Sequence, residues 1–173
     1  MKSTDRRHKN IVLIGMPGAG KSTIGVILAK VMGYRFVDSD LVIQEEEHRL
    51  LKDIIAEDGV EEFVKIENRI NASLDVDKSV IATGGSVIYG AEAMEHLREI
   101  GTVVYIRLRY EEIRARLGDL SQRGVVLREG QTLLDLYNER CPLYEKYAHI
   151  AVDGDRMQIV EVMEAIKRSL LEI

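Results

Sequence analysis

Residues 11 to 14, Ile-Val-Leu-Ile, run straight into Gly15-Met16-Pro17-Gly18-Ala19-Gly20-Lys21-Ser22-Thr23, which carries the pattern G-x-x-x-x-G-K-[ST]. Glycines at Gly15, Gly18 and Gly20 permit backbone conformations and close approaches that a Cβ would obstruct. A helix starting behind them turns its positive end and its free N–H groups toward an anion. In such a phosphate loop the backbone from Gly15 through Ala19 and Gly20 to Thr23 cradles a polyphosphate, Lys21 reaches the β- and γ-phosphates, and the Ser22 hydroxyl ligates Mg²⁺. A chance glycine-rich turn is the competing reading. The apolar strand before the loop and the helical pattern after it weigh against that alternative.

This strand, loop and helix open a longer alternation. Short runs rich in Val and Ile fall at Ile11–Gly15, Arg35–Asp38, Val80–Thr83, Val103–Arg107 and Ile150–Asp153. Between and after them, helical periodicity covers Ser22–Met32, Ile54–Leu74, Ala91–Glu99, Tyr110–Leu117, Thr132–Tyr147 and Met157–Leu171. Strands alternating with helices give an α/β fold, here a five-stranded parallel sheet with helices on its faces. At 173 residues and 46% hydrophobic, the chain is expected to form a single domain over 1–173.

Ligands of open parallel sheets bind outside the carboxyl ends of the strands, so the residues just after each strand are the candidates for chemistry. After the second strand stand Asp38 and Asp40, and after the third stand Gly84 and Gly85 within Ala-Thr-Gly-Gly-Ser. Beyond the fourth strand and its helix, a polar segment carries Arg116 and Arg123. Asp38 suits Mg²⁺, which favours carboxylates and keeps much of its hydration. Asp40 suits an acceptor hydroxyl that must be oriented or deprotonated. Either aspartate is equally suited to capping a helix that begins near Leu41.

Charge and composition exclude other classes. A net charge of −5 and the absence of Trp argue against a broad nucleic-acid surface. The basic run Arg6-Arg7-His8-Lys9 reads as a solvated tail. No apolar stretch is long enough to span a bilayer, and one cysteine, Cys141, forms no internal disulfide, so a cytoplasmic protein with no membrane partner is expected. His48, His96 and His149 lack metal-ligand spacing.

The phosphate loop, Asp38-Ser39-Asp40, Glu-Glu-Phe-Val-Lys-Ile-Glu near residue 65, Ala-Thr-Gly-Gly-Ser, the arginine segment and Arg-Cys-Pro-Leu-Tyr-Glu-Lys-Tyr-Ala occur in the order found in shikimate kinases. From about Asn10 to the last helix the chain resembles that family. The resemblance implies a three-layer α/β/α P-loop kinase of the nucleoside-monophosphate-kinase type, with an acceptor-binding region over 40–75 and a mobile lid over 118–131. It implies transfer of the γ-phosphate of ATP to the 3-hydroxyl of shikimate; a monomer is expected. It assigns Lys21 to the phosphates, Ser22 and Asp38 to magnesium, Asp40 with Gly84 and Gly85 to the acceptor, Arg116 to adenine, Arg123 to the lid and Arg140 to the acceptor carboxylate. On pattern alone Arg140 fits equally a helix-surface charge paired with Glu139 or Glu145. Closure of Arg123 over the phosphates, with Gly118 and Gly124 as hinges, would exclude water.

Three positions depart from the family pattern. Val64 stands where an arginine shares the substrate carboxylate, Ser86 where a third glycine follows Gly84 and Gly85, and Gly124 where proline follows the lid arginine. These changes cluster around the acceptor and the lid, and leave the ATP-facing residues intact. They leave three alternatives beside shikimate: another small hydroxylated metabolite, a nucleoside-monophosphate or nucleic-acid kinase, and a non-catalytic nucleotide switch.

Overall fold

The computed structural model describes residues 10–118, 125 and 127–173. Five strands form one all-parallel sheet: β1 (Asn10–Ile14), β2 (Arg35–Asp38), β3 (Ser79–Ala82), β4 (Gly101–Arg107) and β5 (Ile150–Asp153), in the order β2-β3-β1-β4-β5. Central β1 is buried along its whole length, as a strand covered on both faces must be. Buried Asn10 fastens its start: its Nδ2 donates to Val76 O at 2.7 Å and Ile100 O at 3.1 Å, and its Oδ1 accepts from Ser79 N at 3.0 Å. A buried amide with these partners bears little desolvation cost, and it sets the register of both neighbouring strands.

That register brings the chemical segments to one level. Asp38 lies opposite Ala82, and Ala82 lies opposite Leu13. The phosphate loop, Asp38 and the Gly84–Gly85 turn therefore leave the same edge of the sheet, at the carboxyl ends of β1, β2 and β3.

Eight α-helices accompany the strands among the described residues: α1 (Lys21–Met32), α2 (Ser39–Glu47), α3 (Leu51–Asp58), α4 (Val60–Ala72), α5 (Ala91–Ile100), α6 (Tyr110–Leu117), α7 (Leu133–Tyr147) and α8 (Ile159–Leu171). The single helix expected over Ile54–Leu74 is in fact two. Gly59 lies between α3 and α4 with φ 86° and ψ 167°, a conformation open to glycine and incompatible with continuing a helix. The break lets α2, α3 and α4 close on a small second core of Ile43, Ile54, Phe63, Ile66 and Ile70 beside the main one. Helix α7 starts at a capping box in which Thr132 accepts from Asp135 N, and Asp135 accepts from Thr132 N. His96 and His149 each hydrogen-bond the backbone of another segment: His96 Nε2 meets Leu74 O at 2.7 Å, and His149 Nδ1 accepts from Val103 N at 2.9 Å.

Candidate active site

Gly15, Gly18 and Gly20 all have positive φ. A side chain at Gly15 would start 2.8 Å from Ile106 O, so glycine there satisfies both conformation and space. Ala19 is buried, whereas Ser22 and Thr23 are exposed at the start of α1. Lys21 is buried and donates to Gly15 O at 2.8 Å and Met16 O at 2.9 Å. Burial pulls its pKa down to about 8, while the Asp40 carboxylate pulls the other way. At neutral pH the ammonium stays charged.

Asp38 is the cap of α2, accepting from Asp40 N at 3.0 Å. Asp40 is thereby released from capping and lies in the first turn of that helix. Burial raises its carboxyl pKa, Asp38 raises it further, and Lys21 lowers it. These couplings place Lys21, Asp38 and Asp40 in one electrostatic neighbourhood.

Arg140 is 2% exposed, which removes the surface-charge alternative; Glu145 pairs instead with Arg107 at 2.7 Å. Its Nε donates to Tyr89 OH at 3.3 Å, and its guanidinium lies 5.4 Å from the Tyr89 ring centroid. The Tyr144 hydroxyl donates to Gly85 O at 2.6 Å. A side chain at Gly85 would begin 2.9 Å from Arg140 Nη1 and 2.8 Å from Pro17 Cδ. One at Gly84 would begin 2.8 Å from Glu67 Oε2 and 2.9 Å from Asp40 Oδ1. The Gly84–Gly85 backbone thus threads between two carboxylates on one side, and a guanidinium and the phosphate loop on the other.

Glu67 belongs to this cluster, although sequence reasoning did not select it. It is 1% exposed, accepts from Ser86 Oγ at 2.6 Å, and has no hydrogen-bond partner for Oε2 among the described residues. Burial pushes its carboxyl up to about 7; Asp40 adds to the rise, and Ser86, Arg140 and Lys21 oppose it. The signal was in the helical period: Phe63, Ile66 and Ile70 form the apolar stripe of α4, and Glu67 interrupts it. Tyr89 and Tyr144 carried no local pattern, since what they contact lies 50 or more residues away in sequence.

The departures take physical form here. Ser86 spends its hydroxyl on Glu67. Val64 is half-buried, one helical turn from Glu67. On the nucleotide side, Arg116 reaches Gly18 O at 3.4 Å and pairs with Glu112 at 3.4 Å. Gly118, with φ 52°, ends α6. Arg123 and Gly124 lie outside the described residues.

The phosphate loop, the parallel sheet and, beside the loop, a cluster of carboxylates with a buried arginine define a P-loop small-molecule kinase. The shikimate kinase family matches residues 17–171, and the chain belongs to that family. It is 36% identical over 163 residues to a shikimate kinase of Clostridium botulinum, covering 93% of this chain and 96% of that one. A shikimate kinase of Bacillus anthracis is 32% identical over 165 residues, with 95% and 99% of the two chains covered. Shikimate kinase from Acinetobacter baumannii in complex with shikimate superposes with a TM-score of 0.84 at 31% identity, covering 95% of this chain and 93% of that one.

Proposed function

We propose that the protein transfers the γ-phosphate of ATP to the 3-hydroxyl of shikimate. The loop backbone from Gly15 to Thr23, which lacks an N–H at Pro17, cradles the polyphosphate, and Lys21 leaves its carbonyl partners for the β- and γ-oxygens. Arg116, already against Gly18, flanks the adenine. Arg123, outside the described residues, takes its phosphate role from the family resemblance alone. The donor set fits magnesium: an exposed Ser22 hydroxyl and a carboxylate at Asp38 are the kind of sparse oxygen site that ion takes beside phosphates and water. Bound there, it would neutralise charge on the β- and γ-phosphates.

On the acceptor side, Asp40 accepts the 3-hydroxyl hydrogen bond and receives its proton as the oxygen attacks. Its raised pKa makes it a better base than a solvated aspartate. Arg140 pairs with the carboxylate through its planar fork. Gly84 and Gly85 keep the space between these groups open. In this reading the enzyme acts as a monomer, in the cytoplasm where ATP is made available.

The observation that carries the reading is the shared wall at Gly84–Gly85, which has Asp40 on one side and Arg140 with the phosphate loop on the other. A hydroxyl and a carboxylate on one small ring are what that spacing suits. A related hydroxylated acceptor is the second reading, favoured by Val64, which can offer a carboxylate nothing. ADP release measured with shikimate, sugar acids, polyols and nucleoside monophosphates decides. Turnover dependent on shikimate is expected, and activity confined to another acceptor rejects the assignment.

A further inference from the structure

We infer, resting on the acceptor assigned above, that Arg128 is the second cation of the acceptor site and pairs with the carboxylate that Arg140 holds. Three observations bring its guanidinium there. Its carbon lies 5.9 Å from the Tyr89 ring centroid, the same ring that carries Arg140 at 5.4 Å. Its Nη1 lies 3.6 Å from Glu139 Oε1, which accepts from the Tyr89 hydroxyl, and that hydroxyl in turn accepts from Arg140 Nε. Its Nε lies 3.5 Å from Glu61 Oε1 on α4.

The last contact fixes where on α4 the arginine stands. Glu61 and Val64 are one turn apart and share a face, as do Val64 and Glu67. The strip therefore runs from Arg128 at the rim, past Val64, to Glu67 beside Asp40. A cation is absent from the middle of the strip and present at its end, delivered by a different segment of the chain.

That segment is built to hold it. Arg128 N donates to Gln131 Oε1 at 3.2 Å, Gln131 N donates back to Arg128 O at 3.0 Å, and Gln131 Nε2 donates to Glu139 Oε2 at 3.2 Å. The backbone is pinned while the guanidinium is held by two long ion pairs, at 3.5 Å to Glu61 and 3.6 Å to Glu139, distances too great for strong hydrogen bonds. Turning toward a substrate carboxylate gives up little at an exposed rim and gains a charge-assisted pair.

Steady-state kinetics of the full chain and Arg128→Ala, each with shikimate and with shikimate methyl ester, test this as a cycle across the interface. Esterification removes the acceptor charge, so a direct pair makes the two losses overlap. The ester penalty in kcat/KM should be about tenfold smaller in Arg128→Ala than in the wild type, the size of one charge-assisted contact. The KM for ATP should stay unchanged, and Arg128→Lys should recover part of the loss. Equal ester penalties in wild type and variant, with normal wild-type turnover of shikimate, overturn the assignment of Arg128 alone. Absence of wild-type turnover with shikimate overturns the acceptor itself, and the role of Arg128 with it.

Discussion

Ser86 Oγ donates to Glu67 Oε1 at 2.6 Å beside the Gly84–Gly85 turn, and both residues are buried. A hydroxyl at this position therefore supports a carboxylate that would otherwise lack a partner for either oxygen among the described residues. Ser86→Ala should destabilise the protein by about 1–3 kcal/mol, the cost of leaving a buried acceptor unsatisfied. Urea unfolding at neutral pH measures this, and a change below about 0.5 kcal/mol would show that the bond contributes nothing of note.

Glu67 also links stability to pH. Its carboxyl ionises near 4.5 when unfolded and about 7 when folded, so the folded state binds more protons between those values. Stability from this group is complete below pH 4.5 and is lost as pH rises through about 7. Glu67→Gln keeps an acceptor for Ser86 and cannot ionise. Its advantage over wild type should grow across that window to an order of about 3 kcal/mol, read from unfolding midpoints at several pH values. Parallel curves for the two proteins would mean that Glu67 titrates normally.

Gly84→Ala introduces a methyl group 2.8 Å from Glu67 Oε2 and 2.9 Å from Asp40 Oδ1, so at least one carboxylate has to move. Acceptor kcat/KM should fall by about tenfold or more, because misplacing a reacting group is costly in rate. Nucleotide affinity, measured by titration calorimetry, should be unchanged. An equal loss on both sides would place the effect in the phosphate loop instead.

Arg140→Lys keeps the charge and loses the fork. Its KM for shikimate should rise about tenfold or more while the KM for ATP holds, since a point charge does not replace a bidentate pair. An unchanged KM in initial-rate assays would remove the carboxylate from Arg140.

The sheet was legible because buried parallel strands announce themselves as unbroken runs such as Ile11–Ile14. The break at Gly59 was not, since an isolated glycine in a helical pattern is equally compatible with continuation, and the second core that requires the turn is tertiary. Asp38 and Asp40 were legible as a pair after the second strand, but which of them caps the next helix was not; Asp38 does, holding the amide of Asp40. Arg140 needed the family resemblance, because one charged residue within α7 looks like any other until burial is known. Arg128 and Tyr89 owe their positions to contacts between distant segments, which leave no periodic trace in sequence.

Lys21 and Asp40 serve one reaction from two sides, and Asp40→Asn isolates the second side. Shikimate-dependent ADP release by this variant should fall by at least about a hundredfold, the scale of general-base removal, while ATP affinity stays within about twofold of wild type. Wild-type turnover in Asp40→Asn would contradict the account at its centre.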